Sequence, residues 1–154
     1  MPSTIQRIVA HEVVVPARPG IIHSPGFTGT DQAVWDQKPI CLLEFHTDDG
    51  LAGLGEVVRG YGLDDLRDTL ARLPGTPIGP GGLAALPADL RARPFYGVKQ
   101  SMPAALWQST SPVVPAYEQA ALDIAGKRLG LRAVVLLGGP VRERVAVDYW
   151  CGRQ

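Results

Sequence analysis

The stretch from Ser111 to Gly139 constrains the chain most, because both ends of a helix can be read in it. Ser111 suits a cap, and Pro112 and Pro115 fall in the first turn, where backbone N–H groups have no intrahelical partner. Val114, Tyr117, Ala121, Ile124 and Arg128 lie along one helical row with Val113, Ala120 and Ala125 beside it, so most of one face is apolar. Lys127 and Arg128 suit the negative end of the helix dipole, and Gly130 suits a left-handed stop. Leu136-Leu137-Gly138-Gly139 reads as a short apolar turn closed by two glycines.

Ahead of this helix the pattern changes period. Ile5–Val15 is rich in β-branched residues and predicts a strand that Pro16 ends. Residues 16–39 form a polar loop punctuated by Gly and Pro and carrying His23, Phe27 and Trp35; ordered loops of this length tend to be functional. Pro39–Thr47 alternates, with Cys41, Leu43, Phe45 and Thr47 on one face. Asp48-Asp49-Gly50 marks a tight turn and Leu51–Val57 the returning strand. An antiparallel three-stranded meander follows. Asp64–Leu73 predicts a short helix with an acidic start, residues 74–82 are too rich in breakers for regular structure, and a second short helix starts near Pro87. Residues 93–110 carry Phe95, Tyr96, Met102, Leu106 and Trp107 without clear periodicity, and Arg144–Trp150 predicts a final strand. Strands first and helices afterwards make an α+β domain.

Composition narrows the partners. At 154 residues the chain is long enough for a sizeable core, and its 15 basic residues balance 15 acidic ones. Zero net charge argues against nucleic acid or an anionic membrane as the main partner. No apolar run approaches the ~18 residues of a membrane span, and no signal-peptide pattern opens the chain, so a cytoplasmic location is expected. Cys41 and Cys151 match no metal-ligand spacing and read as reduced thiols rather than a disulfide. His11 and His46 stand on separate strands with no third ligand at useful spacing, which disfavours zinc. Glu56 reads as a residue bonding backbone where a strand enters its loop, and Asp123 as a partner for a backbone group or an arginine. With 18 glycines and 14 prolines, turn formers exceed the ~12% of average usage.

Two motifs carry a resemblance. Ala121, Asp123, Ile124, Ala125, Gly126, Lys127, Leu129, Gly130 and Leu131 form A-x-D-I-A-G-K-x-L-G-L, followed by Leu136, Leu137, Gly138, Gly139, Arg142 and Val145 as L-L-G-G-x-x-R-x-x-V. Earlier, Thr47-Asp48-Asp49-Gly50-Leu51, Gly53 and Gly55-Glu56 form T-D-D-G-L-x-G-x-G-E. Both resemble the N-terminal capping domain of the mandelate racemase/muconate-lactonising branch of the enolase superfamily. The resemblance implies a capping domain over residues 1–139 and the first strand of a TIM-like barrel over 140–154, the rest of that barrel lying outside the chain. It also implies an enzyme that removes a proton α to a carboxylate, as racemase, cycloisomerase or sugar-acid dehydratase, with Mg²⁺ and the acid–base residues held by the barrel. No catalytic or metal residue is therefore expected here. The resemblance makes lids of the loops after the first and third strands, so His23, Phe27, Trp35, Arg59 and Tyr61 are the candidates for contact with a small carboxylate substrate, by region rather than by motif. Tyr149 and Arg153 would line the pocket mouth of such a barrel. The expected partner is the barrel domain, and a homo-oligomer is among the assemblies allowed. The competing reading is a non-catalytic binding or assembly module with the same fold.

Overall fold

A computed structural model describes residues 3–16, 23–25, 32–34, 37–57, 61–79, 82–91 and 111–146. The strands are β1 (Ser3–Pro16), β2 (His23–Pro25), β3 (Gln32–Val34), β4 (Gln37–Thr47), β5 (Ala52–Glu56) and β6 (Pro77–Ile78). The helices are α1 (Leu63–Ala71), α2 (Ala88–Arg91), α3 (Val114–Leu129) and α4 (Ala133–Leu136), with a 3₁₀ turn at Gly82–Ala85. The expected meander is present: β1 and β5 both pair antiparallel with β4, in a sheet ordered β5-β4-β1-β6. Gly50 takes φ 84° in the β4–β5 turn, which a β-branched residue would strain to adopt. A bulge between Ile5 and Arg7 shifts the β1–β4 register by one.

The alternation in β4 decides which face is inside. Cys41, Leu43, Phe45 and Thr47 are buried beneath α3, while Leu42, Glu44 and His46 lie on the opposite face. Ile5, Leu66, Leu73, Ile78, Leu90, Tyr117 and Ile124 complete one core. The Tyr117 ring meets Phe45 edge-on at 6.1 Å, and its hydroxyl donates to the Pro77 carbonyl at 2.6 Å. Burial pushes the Tyr117 phenol up to about 12.

Helix α3 opens two residues later than its sequence suggests. Val113 is the residue before the helix and no side chain caps it. Ser111, itself buried, forms the preceding turn, its carbonyl accepting from the Val114 N–H at 2.9 Å. The stop is as expected. Gly130 takes φ 64°, the Leu131 N–H reaches back to the Gly126 carbonyl at 2.9 Å, and the Gly130 N–H to Lys127.

Two expectations need correction. Residues 74–82 are not wholly irregular, since Pro77–Ile78 pairs with Ser3 and Thr4. Proline lacks only a donor and tolerates an edge position, while Ile78 reaches the core. The long loop after β1 contains the β2–β3 hairpin, which pairs His23 with Val34. Arg144–Ala146 pair with no described strand, and the rest of the expected final strand (147–150) lies outside the described residues, as does 93–110.

Candidate functional site

Sheet register determines where the two candidate lid segments emerge. Strands β1 and β5 both run antiparallel to β4, so both leave the sheet at the end where β4 begins. There β1 and β4 continue as a two-stranded ribbon, Val13–Pro16 against Gln37–Ile40. Val13, Val14 and Val15 are exposed along it, which isolated strands avoid unless something packs against them. In chain order β2 and β3 fall between the two strands of this ribbon, and the segment after β5 leads through Tyr61 and Gly62 into α1. The Gly62 N–H is held by the Asp65 carboxylate at 2.9 Å, which orients the entry to α1.

Of the five candidate residues, two fall within the described chain. His23 stands in β2, opposite Val34. Tyr61 is half-buried and packs against the core. Phe27, Trp35 and Arg59 lie outside the described residues, as do Tyr149 and Arg153. Glu12 was not singled out from sequence. Its Oε1 lies 3.9 Å from where a Cβ would sit on Gly62. The available signal is that it is the one acidic residue in β1 and shares the face of Cys41. Burial, with the Glu12 charge behind it, raises the Cys41 thiol above its usual range.

A second polar group lies on the open face of the sheet. His46 Nε2 is 3.2 Å and His11 Nε2 3.6 Å from the same oxygen of Glu44. The hydrogen bond from His46, with the His11 contact behind it, holds the Glu44 carboxyl below the usual range. The two histidines thus share one carboxylate: the i,i+2 spacing within β4 supplies His46, and strand pairing supplies His11. Among the described residues no group of three or more His, Cys, Asp and Glu side chains is arranged to hold a metal ion.

An open groove of about 690 Å³ lies elsewhere, along the second half of α3 and the turn into α4, lined by Leu122, Asp123, Lys127, Leu131 and Arg132. Its position follows from α3 running antiparallel to β5, with Gln119 beside Glu56 and Lys127 beside Ala52. It therefore sits towards the opposite end of β5 from the lid segments. The Asp123 and Lys127 head groups are already bonded to β5, which leaves the groove mainly apolar. Leu129, Leu131, Val134, Val135, Leu137, Val141 and Val145 are also exposed in this C-terminal stretch.

No protein-family model and no curated protein sequence matches the chain. Solved structures do. A Roseovarius nubinhibens ISM protein assigned to the mandelate racemase/muconate lactonizing enzymes aligns over 98% of this chain and 38% of its own, with TM-score 0.62 and 21% identity. Muconate lactonizing enzyme from Pseudomonas fluorescens, complexed with muconolactone, aligns over 93% and 36%, with TM-score 0.62 and 24% identity. An enolase from Thermobispora bispora DSM 43833, complexed with magnesium and formate, aligns over 91% and 33%, with TM-score 0.53 and 26% identity. The chain spans about a third of the length of each. Among the described residues no helix is long and apolar enough to cross a membrane. The chain has the α+β, enolase N-terminal-domain-like fold of the mandelate racemase/muconate-lactonizing branch of the enolase superfamily.

Proposed function

We propose that this chain is the lid and specificity domain of a Mg²⁺-dependent enzyme that abstracts a proton α to a carboxylate, as a racemase, cycloisomerase or sugar-acid dehydratase. Residues 1–139 form the cap and 140–154 lead into the barrel. The observation that carries this reading is the match over nearly the whole chain to structures about three times as long. The acid–base groups and the metal belong to the remaining two-thirds, and this chain has no catalytic residue of its own. Bound there, the metal would stabilise the negative charge that develops on the substrate carboxylate. The chain contributes two segments leaving one end of the sheet, with His23, Phe27, Trp35, Arg59 and Tyr61 as substrate-contact candidates. Closure over the barrel mouth would exclude water and select the substrate. The exposed apolar strip from Leu129 to Val145 supplies a surface for the barrel. A free, buried Cys41 fits a cytoplasmic protein.

The test is the intact product in its source cells, detected with an antibody to this chain. A band near the size of roughly 400 residues, the cap plus a ~250-residue barrel, is expected. A band at the size of this chain alone would overturn the reading in favour of a stand-alone binding or assembly module. The purified chain with Mg²⁺ and acid sugars should show no turnover, and measurable dehydration would place catalysis within it.

A further inference from the structure

The two sequence motifs meet in one device. Val57 donates to the Cys41 carbonyl and Thr47 to the Leu51 carbonyl, both at 2.9 Å, so the odd-numbered residues of β5 bond to β4. The even-numbered Ala52, Leu54 and Glu56 therefore turn their backbone groups outward, at the end of the sheet order. Such a row is a template for another strand. Here three side chains of α3 occupy it. Gln119 Oε1 accepts from the Glu56 N–H at 3.0 Å, Asp123 Oδ2 accepts from the Leu54 N–H at 3.1 Å, and Lys127 Nζ donates to the Ala52 carbonyl at 2.6 Å. Lys127 also bonds Asp123 at 2.8 Å, tying adjacent rungs.

The periods explain the spacing. Every second strand residue advances about 6.6 Å, and every fourth helical residue about 6.0 Å. Positions 119, 123 and 127 thus keep step with 56, 54 and 52. The small mismatch grows towards the ends, where the longer Gln and Lys stand, while the short Asp takes the middle. The helix comes this close because the strand has glycines facing it. A Cβ on Gly53 would meet the Ala120 carbonyl oxygen at 2.4 Å, and one on Gly55 the Ala116 carbonyl oxygen at 1.9 Å.

We propose that Gln119, Asp123 and Lys127 act as a side-chain substitute for a strand, closing the β5 edge to strand addition. Hydrogen exchange followed by NMR on the full chain tests the first half. The outward Leu54 and Glu56 amides should be protected to within about tenfold of the inward Gly53 and Gly55 amides; free exchange in the wild type would overturn the proposal. In the Gln119→Ala/Asp123→Ala variant, exchange at Leu54 and Glu56 should rise at least tenfold while Gly53 and Gly55 are unchanged. The second half is read by fluorescence anisotropy with a labelled peptide of the Ile40–Thr47 sequence. The alanine variant should bind it at least tenfold more tightly than wild type. Raised exchange with unchanged peptide affinity would mean that the rungs only anchor the helix, and would overturn closure. Gln119→Glu/Asp123→Asn keeps an oxygen acceptor at each rung and should behave as wild type. Should the alanine variant fail to fold, the wild-type exchange pattern and this conservative variant still decide, since loss of protection at Leu54 and Glu56 in either contradicts the proposal.

Discussion

At the scale of single residues, absent side chains matter as much as present ones. Gly55 lies under α3 with the Ala116 carbonyl oxygen, carbon and Cα all within 2.6 Å of where a Cβ would sit. These are backbone atoms of a buried helix, so no rotamer change relieves the contact. Gly55→Ala should therefore destabilise the chain by about 3 kcal/mol, the upper end of overpacking costs, measured as a lowered urea midpoint. Gly50→Ala meets no such wall, having nothing within 4 Å, and its penalty comes from the positive φ alone. The glycines of the T-D-D-G-L-x-G-x-G-E motif thus do two different jobs. Sequence marks all three as glycines, but only the fold separates the turn from the contact.

At the scale of elements, pairing between strands creates groups that neither strand contains. Glu44 receives His46 from its own strand and His11 from β1. Its carboxyl is held low in the folded chain, so the contribution is present above the pKa of an unfolded glutamate and is lost as pH falls through the lowered value. Urea midpoints of wild type and Glu44→Gln should differ at neutral pH and converge in acid; parallel pH curves would show that the contact contributes nothing. The effect is small because these side chains are substantially exposed. At the β4–β5 turn, Arg128 of α3 bonds Ser3 and Asp49, fastening the helix terminus to that turn. Thr47, at 2.5 Å, and then Arg128 hold the Asp49 carboxyl low.

At the scale of the whole molecule, the distribution of apolar surface separates a finished side from an unfinished one. Beneath α3 the core is closed, with Leu43, Phe45, Leu66, Ile78 and Ala120 fully buried. Among the described residues from Leu129 onward, seven large aliphatic residues are exposed, Val141 at 96% and Leu137 at 69%. A surface of that kind associates in water. The isolated chain should therefore show concentration-dependent self-association in sedimentation velocity, and Leu137→Lys/Val141→Lys should shift it towards monomer. A wild-type chain that stays monomeric at high concentration would mean that the strip folds back on the chain itself.

What the sequence determined by itself is local and periodic. The strand alternation of β4, the acidic start of α1, the left-handed stop at Gly130 and the Asp-Asp-Gly turn follow from torsional preference and side-chain spacing, and they stand in the structure close to where they were expected. Whatever depends on contacts between distant residues had no signal in the order of the chain. The pairing of Pro77–Ile78 with the first strand, the approach of His11 to Glu44 and the departure of β1 and β5 from one end of the sheet each required strand register. The role of Asp123 shows the boundary. Sequence supplies a helical aspartate suited to a backbone partner, and packing selects the partner: the Leu54 N–H, 69 residues away, with Lys127 in place of an arginine. Close-packed backbones, not intrinsic propensity, decided that choice, because only a strand with glycines facing the helix lets α3 come near enough for short side chains to reach its edge.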